Sequence, residues 1–349
     1  MQAIEHHHRR VRFFSTVELV NALEEEKAQG KPGQIAHRLA KSYRSEYEAV
    51  FGPLPALDDA ALVEIAQGQE LVIAKDAMVA EVHFLGRDPP ELIAGKLLRV
   101  NLSDLAAMGA VPLGYLLALA RPRGIDDDWL ARFAAGLAAD QRRFGCHLLG
   151  GDTVSTSGPL TLSLTILGTV PKGEALTRGG ARPGEDVWVS GTLGDAAMGL
   201  RVLRGLAVTE DEALYLVDRY RTPRPRLALG QRLRGLASAA MDVSDGLAGD
   251  LGHILATSRV GATLELTHLP LSPIGAGIPG AREAALTGGD DYELLFTAPT
   301  ALRAEIEALQ APLGLALTRI GRTRAEPGLM VRDADGLPVA VEQGGWRHF

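Results

Sequence analysis

Cysteine is almost missing from this chain: Cys146 is the only one in 349 residues. No intramolecular disulfide can form, and a reducing, cytoplasmic setting is the expectation. Cys146 stands between Gly145 and His147 ahead of an apolar run, a place that suits a structural thiol better than a nucleophile. Long apolar runs are missing too. The longest candidates, "PLGYLLALA" and "LTLSLTILGTV", fall short of the roughly 18 residues of a spanning helix, so no membrane role is expected. The basic start "MQAIEHHHRRVRFF" is not followed by the apolar core and small-residue cleavage site of a signal peptide. Basic residues are in deficit, 36 against 43 acids for a net charge of -7. That excludes a nucleic-acid binder working through a basic surface, though not a site for a small anion. No GxxxxGK[ST] occurs, so a Walker-type phosphate loop is excluded. The GxGxxG of Gly275, Gly277 and Gly280 follows no strand and carries Pro279 where a helix should open, and is read as a loop. The triplet His6–His8 has no acid or thiol pattern around it and is read as a solvated tail. The arginines of "RYRTPRPRLALG" are read as the lead into a helix after Pro225.

What is present is an ordinary globular composition, 46% hydrophobic and 23% charged, at a length that favours two domains. Residues 1–57 are charged and helix-prone and differ from the rest. From there on, strands and helices alternate. "ELVIAKDAMV" reads as a strand, and "PPELIAGKLLRVNLSDLAAMG" as a helix opened by Pro90 and closed by Gly109. "PLGYLLALA" is a strand, "IDDDWLARFAAGLAADQRRFG" an amphipathic helix ended by Gly145, and "LTLSLTILGTV" a strand. The Gly- and Pro-rich "LTRGGARPGEDVWVSG" marks a change of domain near residue 175. Beyond it, "GDAAMGLRVLRG", "PRPRLALGQRLRGLA" and "ALRAEIEALQAPLG" read as helices, "GATLELTHLPL" and "YELLFTAP" as strands. The expectation is an α/β (α+β) protein: a divergent segment 1–57, an N-terminal domain 58–175 and a C-terminal α/β domain 176–349.

Six stretches set acids among Gly, Ser or Thr beside apolar segments. They hold Asp58 and Asp59; Asp76; Asp104; Asp152; Asp242, Asp245 and Asp250; and Asp290, Asp291 and Glu293. One such acid is ordinarily an N-cap or a turn residue. Six, with Lys75 almost the only cation among them, need cations or protons to coexist. Mg²⁺, which takes one or two carboxylates per ion and shares substrate phosphates, answers that need. The glycine pairs of "LLGGDT" and "LTGGDD" end apolar runs and let backbone approach a ligand.

In order and wording, "VNLSDLAAMGA", "LLGGDTVSTSGPLTLSLTILGTVP", "ALTRGGARPGEDVWVSGTLGDAAMGL", "DVSDGLAGDLGHI", "LTGGDDYELLFT" and the terminal "GWRHF" resemble the thiamine-monophosphate kinases. The first two kinds of motif also recur in aminoimidazole-ribonucleotide and selenophosphate synthetases. The resemblance implies that two-domain architecture, a homodimer built through the N-terminal halves, and a reaction in which ATP and thiamine monophosphate give thiamine diphosphate and ADP. It implies several Mg²⁺ ions held by Asp59, Asp76, Asp104, Asp152, Asp242 and Asp245. ATP would contact Gly151, Asp152, Arg178 and Ser244; thiamine phosphate would contact His83, Glu293 and Trp346. No catalytic residue beyond the metal ligands is implied, and Asp250 is expected to face solvent. Asp59, Asp76, Asp104 and Asp152 should meet at one cleft.

The N-terminal motifs depart from the family. Leu57 stands where a glycine precedes the aspartate pair, Ala74 and Lys75 replace a Ser/Thr pair, and Ala80–Glu81 replace Glu-Gly. Ala74 supplies no hydroxyl, Lys75 brings a cation beside Asp76, and Glu81 adds bulk beside His83. A catalytically impaired homologue that binds nucleotide or thiamine phosphate is therefore the alternative reading. A synthetase of the same superfamily fits less well, because residues 1–50 lack both a catalytic cysteine and a Gly-rich loop.

Overall fold

The computed structural model describes residues 60–340. The chain forms two compact units, one built on residues 73–101 and 112–167, the other on 66–72, 102–111 and the chain from 168 onward.

Among the described residues the first sheet has four strands: β1 (Gln69–Val79), β2 (Val111–Pro122), β3 (His147–Thr156) and β4 (Thr161–Pro171), in the order β1-β4-β2-β3. Two 18-residue helices, α1 (Pro90–Ala107) and α2 (Asp127–Phe144), separate the early strands. Helix α2 shows why local sequence suffices here. Asp126 caps it, accepting the Trp129 N–H at 2.9 Å, and Gly145 ends it at φ 64°, a conformation that penalises any Cβ. Strand β4 alternates without a break: Leu162, Leu164 and Ile166 are fully buried while Thr161, Ser163 and Thr165 are half-exposed. Each such buried aliphatic side chain contributes about 1.5–3 kcal/mol. The helices lie on that buried face. Asn101 of α1 accepts the Asp76 N–H of β1 at 3.1 Å, and Gln141 of α2 accepts the Leu148 N–H of β3 at 3.0 Å.

Strand β3 was not expected. The glycine pair of "LLGGDT" was expected to end an apolar run beside a ligand, yet the segment pairs in parallel with β2, Gly151 opposite Leu117 and Asp152 opposite Ala118. A Cβ on Gly151 would stand 1.9 Å from the Leu117 carbonyl oxygen. The glycine is therefore demanded by the neighbouring strand, not by a loop.

The second sheet has, among the described residues, seven strands: β5 (Asp186–Ser190), β6 (Ala239–Asp242), β7 (Gly261–Glu265), β8 (Leu294–Ala298), β9 (Leu317–Arg324), β10 (Gly328–Arg332) and β11 (Pro338–Val339). Their order is β11-β10-β7-β9-β5-β8-β6. Every residue of β5, β6 and β8 is buried. The period of two sorts their side chains into separate cores. Val187, Val189, Met241 and Leu295 pack with Leu251 and Ile254 of α6 (Leu247–Ser258). Trp188, Ala240 and Phe296 pack with Leu229 and Leu233 of α5 (Leu227–Leu233). A third cluster joins α3 (Asp195–Leu203), α4 (Glu210–Arg221) and α7 (Ala281–Thr287) through Met198, Leu216 and Ala284.

Candidate functional site

The densest set of predicted residues stands where β6 gives way to α6. Asp242 ends the strand, nearly buried, and accepts the Ser103 hydroxyl at 2.6 Å; Asp104 follows Ser103 near the end of α1. Ser244 and Asp245 form the half-exposed turn, and Gly246 closes it at φ 129°. Asp250 corrects the expectation that it faces solvent. It is 1% exposed, because one oxygen accepts the N–H groups of Ser244, Asp245 and Gly246 at 3.0–3.1 Å. Burial, then the charges of Asp242 and Asp245, push its carboxyl up to about 7.

The segment after α7 is bonded to this turn. Asp290 N–H donates to the Ser244 carbonyl and Tyr292 N–H to the Val243 carbonyl, each at 2.8 Å. A Cβ on Gly289 would meet the Ser244 oxygen at 2.5 Å, so the glycine pair admits backbone against backbone. Asp290 and Tyr292 both hold left-handed conformations, φ 71° and 51°, which cost non-glycine residues about 1–3 kcal/mol each. Side chains on either side clamp them. Asp291 accepts the N–H groups of Gly194 and Ala196 at the start of α3, at 2.7 and 3.4 Å. Glu293, fully buried, accepts Ser190 Oγ at 2.6 Å, Arg219 at 3.0 Å and the fork of Arg226.

Arg219 and Arg226 escaped the sequence reading. Arg226 was read as the lead into a helix; it lies 67 residues from its partner, and no local pattern connects them. Arg219 is buried among Glu293, Asp291 and Asp195. Burial alone would lower its pKa, but those three acids outweigh burial and raise it. Asp291 is pushed well above its ordinary value, by burial first. Asp195 in turn accepts hydrogen bonds from Thr192, Ser272 and Tyr215.

In the first unit, Asp76 is half-buried and shares the covered face of β1 with Val72 and Met78, whereas Lys75 points out on the bare face. Lys75 therefore does not crowd Asp76. His83 accepts the Val79 N–H on Nδ1 at 3.1 Å, which places its ring proton on Nε2, a donor suited to phosphate. Glu81 holds φ 66° and turns its carboxylate onto the Gly86 N–H at 2.7 Å, closing the turn that contains His83. Asp152 is exposed on β3 with its carboxylate on the Thr153 N–H. By its register with Ala118 it projects from the bare face. Asp76 and Asp152 thus leave opposite faces of one sheet, on strands three spacings or about 14 Å apart. Arg178 is exposed in the segment that pairs, through Thr177, with Ala240 of β6. Asp59 and Trp346 lie outside the described residues. Cys146 is buried and its thiol is pushed up to about 12 by desolvation, as suits a structural residue.

Among the described residues no three His, Cys, Asp or Glu side chains gather as a preformed metal cage. The oxygen-only donors Asp242 and Asp245, close enough to raise Asp250, suit instead a hard cation that takes one or two carboxylates and completes its shell with phosphate.

The chain carries the two domains of one class of protein. Residues 57–170 match the family described as AIR synthase related protein, N-terminal domain, and residues 182–333 match its C-terminal domain. Within that class, the chain is 44% identical to the thiamine-monophosphate kinase of Salmonella typhimurium over 84% of its own length and 90% of the relative's. The crystal structure of thiamine-monophosphate kinase from Stenotrophomonas maltophilia superposes with a TM-score of 0.75 at 44% identity, covering 81% of this chain and 90% of that one. A structure described as AaThiL complexed with AMPPCP and TMP gives 0.72 at 32% identity, covering 84% and 92%. The chain belongs to the thiamine-monophosphate kinase family.

Proposed function

We propose that the chain phosphorylates thiamine monophosphate with ATP. A phosphate oxygen of thiamine monophosphate attacks the γ-phosphorus, the bond to the β,γ-bridging oxygen breaks, and thiamine diphosphate and ADP leave. The observation that carries this reading is the 44% identity to the Salmonella typhimurium kinase across 84% of the chain. The solved relative complexed with AMPPCP and TMP supports the pairing of a nucleotide with that substrate.

The acids Asp59, Asp76, Asp104, Asp152, Asp242 and Asp245 are assigned to Mg²⁺ ions beside the nucleotide. Mg²⁺, when bound, offsets the negative charge of the phosphates. The chain itself supplies position: Ser103 orients Asp242, and the Asp290–Glu293 segment holds the turn of Ser244 and Asp245. Gly151, Asp152, Ser244 and Arg178 are assigned to ATP. His83 and Trp346 are assigned to thiamine phosphate. Glu293, with both oxygens engaged, serves that side by holding Arg219 and Arg226 rather than as an open carboxylate. Residues 58–175 are taken as the nucleotide, cation and self-association half, 176–349 as the other. A cytoplasmic location matches the supply of ATP. A homodimer formed through the N-terminal sheet matches the exposure of Ile73, Leu116 and Val154.

The test is product formation. Purified chain, ATP, thiamine monophosphate and Mg²⁺ should yield thiamine diphosphate, and a chelator should stop it. Nucleotide binding without product would replace this reading with that of an impaired homologue.

A further inference from the structure

The two arginines on Glu293 are held differently. Arg219 belongs to α4 and its side chain is 3% exposed, with Nη2 on Glu293 and Nε 3.9 Å from Asp195. Arg226 stands just before α5 and its side chain is 17% exposed. Its Nε and Nη2 grip the two oxygens of Glu293. A guanidinium carries its N–H donors in one rigid plane, so a carboxylate on the Nε–Nη2 side leaves both hydrogens of Nη1 turned elsewhere. Among the described residues Nη1 has no hydrogen-bond partner. The carboxylate that grips Arg226 is itself fixed. It is fully buried, receives Ser190 and Arg219 as well, and lies where a Cβ on Gly191 would stand 2.3 Å from it. Its place in the sheet is set too, because the Glu293 carbonyl accepts the Val243 N–H at 2.8 Å. Arg226 is thereby anchored at the end of the seven-stranded sheet where Asp242 leads into the turn of Ser244 and Asp245.

We propose that Arg226 distinguishes thiamine monophosphate from thiamine, its Nη1 donating to a terminal oxygen of the phosphate ester. The proposal deepens the function inferred above and rests on it. An arginine locked along one edge and open along the next is a pre-oriented donor, and phosphate oxygens match its planar geometry. Little side-chain freedom is left to lose when the anion arrives, because Glu293 has already removed it. Arg219, with its head enclosed among Glu293, Asp291 and Asp195, has no such open edge. Glu293 is then a positioning residue that reaches the substrate through Arg226.

Calorimetric titration of the full chain, with Mg²⁺ and AMPPCP present throughout, tests this. The parent should bind thiamine monophosphate more tightly than thiamine. Arg226→Gln should raise the Kd for thiamine monophosphate by roughly 10- to 100-fold, the worth of a charge-assisted hydrogen bond, and leave those for thiamine and AMPPCP at the parent's values. Arg226→Lys keeps a cation on Glu293 but loses the fork, and should fall between the two for the monophosphate alone. If Arg226→Gln does not fold, Arg226→Lys decides: an unchanged ratio of the Kd values for thiamine and its monophosphate overturns the proposal. Equal weakening of both thiamine compounds would make Arg226 a brace for Glu293 and overturn its role at the phosphate. Weakening of AMPPCP in place of thiamine monophosphate would move it to the nucleotide and overturn that role as well. A parent that binds AMPPCP but neither thiamine compound overturns the proposed function along with this one, so the two failures are told apart before any residue is changed.

Discussion

The two sheets solve the problem of burial differently. The seven-stranded sheet buries both faces, so that neighbouring residues of β5, Val187 and Trp188, enter different cores. The four-stranded sheet buries one face, and its other face leaves Ile73 and Val154 largely in water. The lesson is about what each half can do alone. A sheet covered on both sides can hold buried charges such as Glu293 and Arg219 in fixed geometry, because nothing around them needs to move. A sheet covered on one side offers strand residues as an accessible surface, and alternation decides which of two adjacent side chains, Lys75 or Asp76, belongs to it.

The sharpest way to break the contrast is at the turn of the second sheet. Asp242→Asn keeps an acceptor for Ser103 but removes a charge, so turnover should fall about 100- to 1,000-fold with the fold retained. Steady-state rates and a melting curve would show it, and an unaltered rate would remove Asp242 from the cation set. Next in size, Arg219→Met leaves Glu293, Asp291 and Asp195 without a shared cation and should cost about 3–5 kcal/mol in denaturant unfolding. A loss below about 1 kcal/mol would mean that the acids are neutral in the folded chain. The two faces of the first sheet should then separate cleanly. Leu164→Ala should cost about 2–5 kcal/mol, whereas Ile73→Ala, measured on dissociated chain, should stay within about 0.5 kcal/mol. Equal costs would show that the bare face is covered within the chain. The smallest effect is a pH slope. The carboxyl of Asp291 is raised above its ordinary 3.8. The folded state keeps that proton longer, so the associated stability is present below the ordinary value and is lost as pH rises through the folded one. Asp291→Asn should lack this decline; parallel stability–pH curves for parent and variant would refute the shift.

Much of this was legible before any coordinates, and the gaps have physical causes. Asp126, Gly145 and the alternation of "LTLSLTILGTV" are local signals, and they set α2 and β4 where expected. The helix read in "ALRAEIEALQAPLG" is interrupted, forming Arg303–Ala308 and Gln310–Leu313. Strand β3 was hidden because Gly, Asp, Thr and Ser are turn formers, and only the approach of Leu117 explains why a strand tolerates Gly151. The outward course of Lys75 could have been found, since neighbours on a strand must diverge. The inward course of Asp250 had a fainter signal: an acid one turn into a helix that follows a glycine turn is placed to bond the amides it has just passed. The Glu293 cluster had none, because its members are brought together only by the seven-stranded sheet and its helices.

The carboxylate of Asp250 has one more consequence. Three successive amides curled around a common point form a concavity that would ordinarily draw in a phosphate oxygen directly. Here the protein fills that hollow with a carboxyl group of its own. The turn is thereby inverted in polarity: its amide hydrogens are spent inward, and the oxygens of Ser244 and Asp245 are what remains to face a visitor. The hollow is thereby closed to a phosphate oxygen, and the half-exposed side chains of Ser244 and Asp245 are what the turn presents outward.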